Sequence, residues 1–159
     1  MDEARDLAVE VLLAREGSIA GRIQQLLAGS RSSICAALYR LNNKALGRSL
    51  REAVERGVSL RLVLDRTKYE NTEVTREIVA DGRLAFRLSD GPKGVGSKMH
   101  HKFALIDQAI ALAGSYNWTD ESEDENYENL LILRQPGVIE AYRAEFEKLW
   151  AEGHPNDTC

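Results

Sequence analysis

The stretch LREAVERGVSLRLVLD, residues 50–65, changes its hydrophobic period at a single glycine. Before Gly57, apolar residues recur every three or four positions, which is typical of the inner face of an amphipathic helix. After Gly57, apolar and polar residues alternate, which is typical of a strand. Because glycine commonly ends a helix, the pattern predicts a helix over Lys44–Arg56 followed directly by a strand over Val58–Asp65.

The same two patterns recur along the chain. A further helix is predicted before Gly29, with an inner face formed by Ile19, Ile23, Leu26 and Leu27. Two more are predicted over Glu73–Ala80 and Val138–Glu152. Further strands are predicted over Val9–Leu13, Ser33–Leu41, 84–88, Lys102–Ile106, Ala109–Ser115 and Asn129–Leu133. The last helix presents one apolar stripe, which we assign to the core. No repeat or linker interrupts this alternation, so we predict one α/β domain over residues 1–159.

Several classes of protein are excluded by composition. No apolar run approaches the roughly 18 residues that a membrane-spanning helix needs. The first residues carry acids where an export signal carries positive charge. The two cysteines, Cys35 and Cys159, are too few and too far apart for a disulfide framework or a zinc cluster. We therefore expect a soluble cytoplasmic protein in which Cys35 is a buried small apolar residue.

Charge is distributed unevenly. Residues 31–102 hold 15 Lys and Arg against 8 Asp and Glu, whereas residues 103–159 hold 3 against 12. The basic part is suited to a nucleic-acid backbone. The acidic run Asp120–Glu125, which we interpret as a solvated loop, would repel a polyanion, and it lacks the glycine and spacing of a calcium loop. Residues 89–99 are glycine-rich and basic but lack the spacing of a phosphate-binding P-loop, so a mobile loop is predicted there.

The stretch HHKFALIDQAIALAGSYNWT places polar residues at the ends of two apolar strands. Side chains two positions apart in a strand point to the same face, so His100 shares a face with Lys102. Ser115 and Asn117 share a face on the next strand, and Glu128 can join them from a third. The lysine, serine and asparagine are donors that suit a group with several anionic oxygens. An imidazole among them suits nucleophilic attack or proton transfer, so a phosphodiester site is predicted.

This spacing resembles the HKD signature of the phospholipase D superfamily. The matching residues are His100-x-Lys102-x-x-x-x-Asp107, then Gly114-Ser115-x-Asn117, with Glu128 where the family places a further acidic residue. The helix–glycine–strand unit and the closing FEKLW helix are also similar, so the resemblance covers most of the chain. It implies an α/β fold with a phospholipase D-like mixed β-sheet flanked by helices on both faces.

The resemblance also implies a mechanism without metal or cofactor. One histidine attacks phosphorus and forms a phosphohistidine intermediate, while a second protonates the leaving oxygen. The chain has only one HKD motif, and His101 is predicted to point to the opposite face, while His154 lies in the tail. A homodimer that shares one active site across its two-fold axis is therefore implied.

A role for each motif residue follows from the resemblance. His100 is the nucleophile or the acid, and Glu128 orients it. The phosphate is held by Lys102, Ser115 and Asn117, and Gly114 lets the backbone approach it. If the strand continues unbroken, Asp107 points to the face opposite to His100 and Lys102, so we assign it a supporting structural role. The alternative is that it is a turn residue before Gln108.

Three functions remain open at the level of the sequence. A nuclease that hydrolyses DNA or RNA is favoured by the basic excess. A phospholipid hydrolase of the cardiolipin or phosphatidyl type is the alternative, although the chain shows neither the membrane anchor nor the Cys/His zinc insertion of that branch. The third is an inert dimeric binding module. An exposed apolar rim around the site would favour lipid, and a continuous basic groove would favour nucleic acid.

Overall fold

The computed structural model describes residues 9–155, which are organised around one eight-stranded sheet. The strands are β1 (Val9–Leu13), β2 (Ser33–Leu38), β3 (Ser59–Asp65), β4 (Phe86–Ser89), β5 (Lys102–Ile106), β6 (Ile110–Gly114), β7 (Asn129–Leu133) and β8 (His154–Pro155). The helices are α1 (Ile19–Ala28), α2 (Lys44–Glu55), α3 (Arg66–Asn71), α4 (Glu73–Asp81), α5 (Asp120–Asp124) and α6 (Pro136–Glu152).

The sheet is mixed, with strand order β1-β7-β6-β5-β2-β3-β4-β8. Only the pairs β2–β3 and β3–β4 are parallel, and the connections within these pairs pass through helices. The other pairs are antiparallel, and β5 joins the two parts by pairing with both β2 and β6. The predicted fold class, a mixed sheet with helices on both faces, is confirmed.

Alternate residues of each strand enter two separate cores. In β5, Ala104 and Ile106 pack on the face that is covered by α1, α2 and α4. Phe103 and Leu105 pack on the other face, against α6. The apolar stripe of α6 therefore belongs to the core, as predicted, and Ile139 and Phe146 are its buried members. Cys35 is buried in the same core, also as predicted.

Local side chains explain where two of the main helices begin. The Ser18 hydroxyl accepts a hydrogen bond from the Gly21 amide (2.9 Å) and caps α1. The Asn43 side chain accepts one from the Leu46 amide (2.9 Å) and caps α2. Gly57 has a φ of 95°, a conformation that glycine adopts without strain, and it turns the chain from α2 into β3.

The interpretation of the acidic run as a solvated loop is wrong. Asp120–Asp124 form α5, whose first turn is capped by Thr119. The Glu123 carboxylate accepts hydrogen bonds from the Ser18 hydroxyl, the Ala20 amide and the Tyr116 hydroxyl. This run therefore fastens parts of the fold to one another.

Several predicted boundaries move. Strand β2 ends at Leu38 instead of Leu41, and Tyr39 leaves the strand with its amide bonded to the His101 carbonyl (2.8 Å). Helix α6 begins two residues earlier than predicted, at Pro136. Helix α3 and the short strand β8 are not predicted, because neither has a periodic apolar pattern of its own. No helix among residues 9–155 is long and apolar enough to cross a membrane.

Candidate active site

The motif residues meet at one edge of the sheet because of the strand order. Strands β5, β6 and β7 are antiparallel neighbours, so the start of β5, the end of β6 and the start of β7 lie together. His100 and Lys102 lie at the start of β5, and Ser115 and Asn117 follow β6. Glu128 immediately precedes β7. The structure thus brings five of the predicted site residues to one place.

His100 lies between a lysine and an aromatic ring. Its Nδ1 atom is 3.2 Å from the Lys102 ammonium nitrogen, which also donates to the His100 carbonyl oxygen at 3.0 Å. The Tyr39 ring packs against the imidazole with 4.3 Å between the ring centroids. These contacts hold the imidazole and the ammonium group on the same face of β5, where a phosphate could meet both.

Charge and burial act on both of these groups. Burial lowers the pKa of His100, and the positive charges of Lys102 and Lys98 lower it further, while the nearby Asp65 carboxylate opposes them. This shift favours the neutral form of the imidazole, which is its nucleophilic form. Burial also lowers the pKa of Lys102, and the Glu128 carboxylate counteracts that effect.

Glu128 is held by a network of donors. Ser115 donates its hydroxyl proton to one carboxylate oxygen (2.5 Å), and Ser122 (3.1 Å) and Asn126 (3.3 Å) donate to the other. The implied contact between Glu128 and His100 is not among the hydrogen bonds of residues 9–155. Within this chain the carboxylate orients the Ser115 hydroxyl, since a carboxylate hydrogen bond fixes the rotation of a hydroxyl group.

Asn117 follows β6 and is tied to α5 through its backbone. Its backbone amide donates to the Ser122 hydroxyl (3.3 Å), but its side-chain oxygen is buried and has no hydrogen-bond partner among the described residues. A buried polar atom without a partner is costly.

Asp107 lies at the other end of β5, away from the five residues above. It occupies the tight turn between β5 and β6 with a φ of 55°. Its carboxylate accepts hydrogen bonds from the Arg31, Ser32 and Ser33 amides and from the Ser32 hydroxyl. The structure therefore does not place it with the catalytic candidates; it ties the β5–β6 turn to the segment before β2.

Position 114 must be a glycine because strand β7 passes very close to its backbone. Its φ is 154°, and a Cβ atom at this position would lie 2.4 Å from the Asn129 carbonyl oxygen. The close approach that the structure shows is thus between β6 and β7, and it allows Ser115 to reach Glu128. This differs from the reason implied by the resemblance, in which glycine makes room for the phosphate.

Four further residues around His100 were missed by the sequence reasoning. They are Tyr39, Asp65, Lys68 and Lys98. The Asp65 carboxylate, whose residue is 2% exposed, accepts hydrogen bonds from the Lys68 and Met99 amides, both at 3.0 Å. The position of Asp65, an acid at the end of a buried strand, was a sequence signal for a functional residue. Its place beside His100 was not predictable, because it depends on residues that are distant in the chain.

The other two histidines each lie beside an acidic residue. The His101 Nε2 atom lies 3.1 Å from the Glu145 carboxylate on α6, and its ring packs edge-on against Phe103. His154 lies near Asp90. A cavity of about 530 Å³ between α6 and the loop after β4 is lined by all three histidines of the chain. His101 points away from Lys102, in agreement with the predicted strand parity.

The mixed sheet and the geometry of the motif together define a class, the phosphodiesterase domains of the phospholipase D superfamily. The family model described as "Cardiolipin synthase, PLD-like domain" matches residues 23–150, and the chain belongs to this family.

Relatives by sequence and by structure carry different names. Mitochondrial cardiolipin hydrolase from Mus musculus is 31% identical over 140 residues, which cover 88% of this chain and 61% of the relative. The protein of that name from Homo sapiens is 28% identical and is covered to 53%. The chain thus spans between half and two thirds of the length of these relatives.

Two solved structures have closely similar folds. Nuc from Salmonella typhimurium, a phospholipase D family member, superposes with a TM-score of 0.82 over 92% of this chain and 96% of its own, at 22% identity. NucT from Helicobacter pylori gives a TM-score of 0.80, with 92% and 99% covered, at 20% identity. At these identities the similarity establishes the fold alone.

Proposed function

We propose that this chain is a metal-independent nuclease that acts through a phosphohistidine intermediate. The observation that carries the proposal is the set of lysines around His100. Lys68, Lys98 and Lys102 have no carboxylate partner within ion-pair distance among the described residues, so their charges are available to a polyanion. Uncompensated lysines at a cleft supply the electrostatic part of nucleic-acid binding.

The proposed first step forms a bond from a nitrogen of the neutral His100 imidazole to phosphorus and breaks the bond from phosphorus to the leaving oxygen. A second imidazole gives its proton to that oxygen. Lys102 neutralises charge on the phosphoryl oxygens, and Asn117 donates a hydrogen bond to them. Ser115 donates a second one when its hydroxyl proton turns from Glu128 to the substrate. Water then breaks the phosphorus–nitrogen bond, and its proton returns to the second imidazole.

We propose that the second imidazole is His100 of an identical chain, so that the enzyme is a homodimer with a shared site. In this chain the partner of His101 is Glu145, and the partner of His154 is Asp90. Wild-type and His100→Ala subunits that exchange freely should give activity that follows the square of the wild-type fraction. A straight-line dependence, or full activity of a verified monomer, would reject the shared site.

A phospholipid hydrolase is the second candidate. The sequence relatives named mitochondrial cardiolipin hydrolase support it. One structural feature does as well, because Val95 is 92% exposed in the loop after β4, with Lys93 and Lys98 nearby in sequence. An apolar loop tip between lysines is suited to an anionic membrane surface. No wider apolar rim joins it, since the other exposed large hydrophobics of the described chain lie on β1 and at Tyr127.

The deciding experiment offers labelled single-stranded DNA, double-stranded DNA, RNA and cardiolipin vesicles to the same protein. We expect cleavage of a nucleic acid, its loss in His100→Ala, and its retention in the matched control His101→Ala. Cleavage of cardiolipin alone would replace the nuclease by the lipid hydrolase. Binding without cleavage of any substrate would leave an inert binding module. The cytoplasmic location predicted above belongs to the same proposal, and imaging of the tagged protein in cells tests it.

A further inference from the structure

Tyr39 is the centre of a cluster that has two cations. Its ring lies 4.3 Å from the His100 ring, and the Lys102 ammonium nitrogen lies 5.2 Å from its centroid. The Lys68 ammonium nitrogen lies 5.5 Å from the same centroid. Tyr39 is only 9% exposed, so its ring supports both lysine side chains from within the protein. One aromatic ring thus sets the distance between two ammonium groups.

A buried carboxylate fixes Lys68 relative to His100. One oxygen of Asp65 accepts the Lys68 amide proton and caps α3, and the other accepts the Met99 amide proton. Met99 directly precedes His100 in the chain. Because the same carboxylate holds both backbones, the start of α3 and the segment that carries the nucleophile form one rigid frame.

The charge of Lys68 is not neutralised within the described part of the chain. Its neighbour Arg66 pairs with Asp90 at 2.7 Å, and Lys44 on α2 lies 3.7 Å from Glu77. Lys68 has no such pair, and its side chain is half-buried against Tyr39. A cation that is held in place and lacks a counter-ion is suited to an anionic ligand.

We propose that Lys68, supported by Tyr39, forms a second phosphate subsite beside the one at Lys102, and that it binds another phosphate of the same substrate. The two ammonium groups are no more than about 11 Å apart, since each lies within cation–π range of one ring. One sugar or one glycerol with its two ester linkages spans such a distance. The second phosphate is therefore the neighbouring phosphate of a nucleic-acid strand or the second phosphate of a cardiolipin-type lipid. The identity of the first subsite rests on the proposed function.

Binding measurements test the subsite without requiring turnover. The wild-type protein should bind thymidine 3′,5′-bisphosphate at least about tenfold more tightly than thymidine 5′-monophosphate, as expected for one additional charge-assisted contact. Lys68→Ala should abolish this preference while leaving the affinity for the monophosphate unchanged. The control Lys44→Ala removes a lysine outside the cluster and should keep the preference. Equal affinities in the wild type, or a preference that survives Lys68→Ala, would overturn the subsite.

Kinetics then identify the source of the second phosphate. For a short oligothymidylate, Lys68→Ala should raise KM about tenfold with little change in kcat. The KM for bis(p-nitrophenyl) phosphate, which has one phosphate, should rise by a much smaller factor. If cardiolipin shows this effect while phosphatidylglycerol and the oligonucleotide do not, the second phosphate is that of the lipid. Failure of the wild type to hydrolyse any substrate contradicts the proposed function alone, because the binding preference still decides the subsite.

Discussion

Replacement of Asp107 should reduce stability and leave catalysis intact. Its carboxylate accepts hydrogen bonds from three backbone amides and one hydroxyl of residues 31–33, at distances of 2.8–3.1 Å. Hydrogen bonds to a charged group each contribute about 1.5–3 kcal/mol when buried, and less where water can replace them. For this partly exposed turn we therefore expect Asp107→Ala to lower the free energy of unfolding by about 2 kcal/mol in total.

The variant Asp107→Asn separates the effect of the charge on stability from the effect of the backbone conformation. The residue has a φ of 55°, which aspartate and asparagine tolerate better than alanine. The asparagine variant keeps one acceptor oxygen, so we expect about half the loss, near 1 kcal/mol. For a chain of this length, 2 kcal/mol corresponds to a decrease in Tm of roughly 4–8 °C.

The dependence on pH has a definite sign. Burial raises the pKa of Asp107, but the hydrogen bonds from residues 31–33 outweigh it and hold the pKa below its ordinary value. The stabilisation is thus present above the unfolded-state pKa of about 3.9 and is lost as the pH falls through the lower folded-state pKa. The difference in unfolding free energy between wild type and Asp107→Asn should be full at pH 7 and should shrink below about pH 4.

Urea denaturation gives these free energies, and steady-state kinetics at a temperature well below Tm gives kcat/KM for each variant. We expect kcat/KM within about twofold of wild type for both variants, since Asp107 contacts no reacting group. A large decrease in kcat/KM with unchanged stability would show that Asp107 acts in catalysis and would refute the structural role.

Three further predictions concern the site itself. Hydrolysis should persist in excess EDTA, because in the proposed mechanism a histidine is the nucleophile and Lys102 neutralises the charge on the phosphoryl oxygens. Complete loss that a divalent ion restores would contradict this. The acidic limb of the kcat/KM profile should have its midpoint below pH ~6.5, the ordinary histidine value, because burial and two lysines lower the pKa of His100; a midpoint above that pH would contradict it. Gly114→Ala should lower the free energy of unfolding by about 1–3 kcal/mol, since its Cβ would overlap the Asn129 carbonyl oxygen, and an unchanged denaturation midpoint would argue against that overlap.

Strand parity is a local property, and it explains what the sequence could predict. The positions of His100 and Lys102 on one face follow from a period of two residues, which is visible in any alternating strand. The nearness of Tyr39 and Lys68 depends on β5 pairing with β2 and on β3 lying next to β2. The strand order is set by packing of the whole sheet, so no local sequence pattern predicts it.

Helix α5, in the acidic run, could not be predicted from hydrophobic periodicity. Helix α5 has five residues, of which only Ser122 is buried, so it has no apolar period to detect. The available signal was Thr119 followed by acidic residues, which is typical of a helix start. The partners of these acids, such as Ser18 for Glu123, lie about a hundred residues away in the chain. Such contacts depend on the tertiary fold.

The hydrogen bonds of the acidic run give it a structural role next to the candidate site. The Asp120 and Glu121 carboxylates accept hydrogen bonds from the Asn43 and Asn42 side chains, three to four residues after Tyr39. Glu123 accepts one from the Tyr116 hydroxyl, between the two donors Ser115 and Asn117. The carboxylates therefore hold the segments that carry Tyr39 and the proposed phosphate donors. From its charge alone, this acidic run would repel an anionic substrate. Because it positions the groups that we propose to bind phosphate, reversing its charge should weaken phosphate binding and not strengthen it.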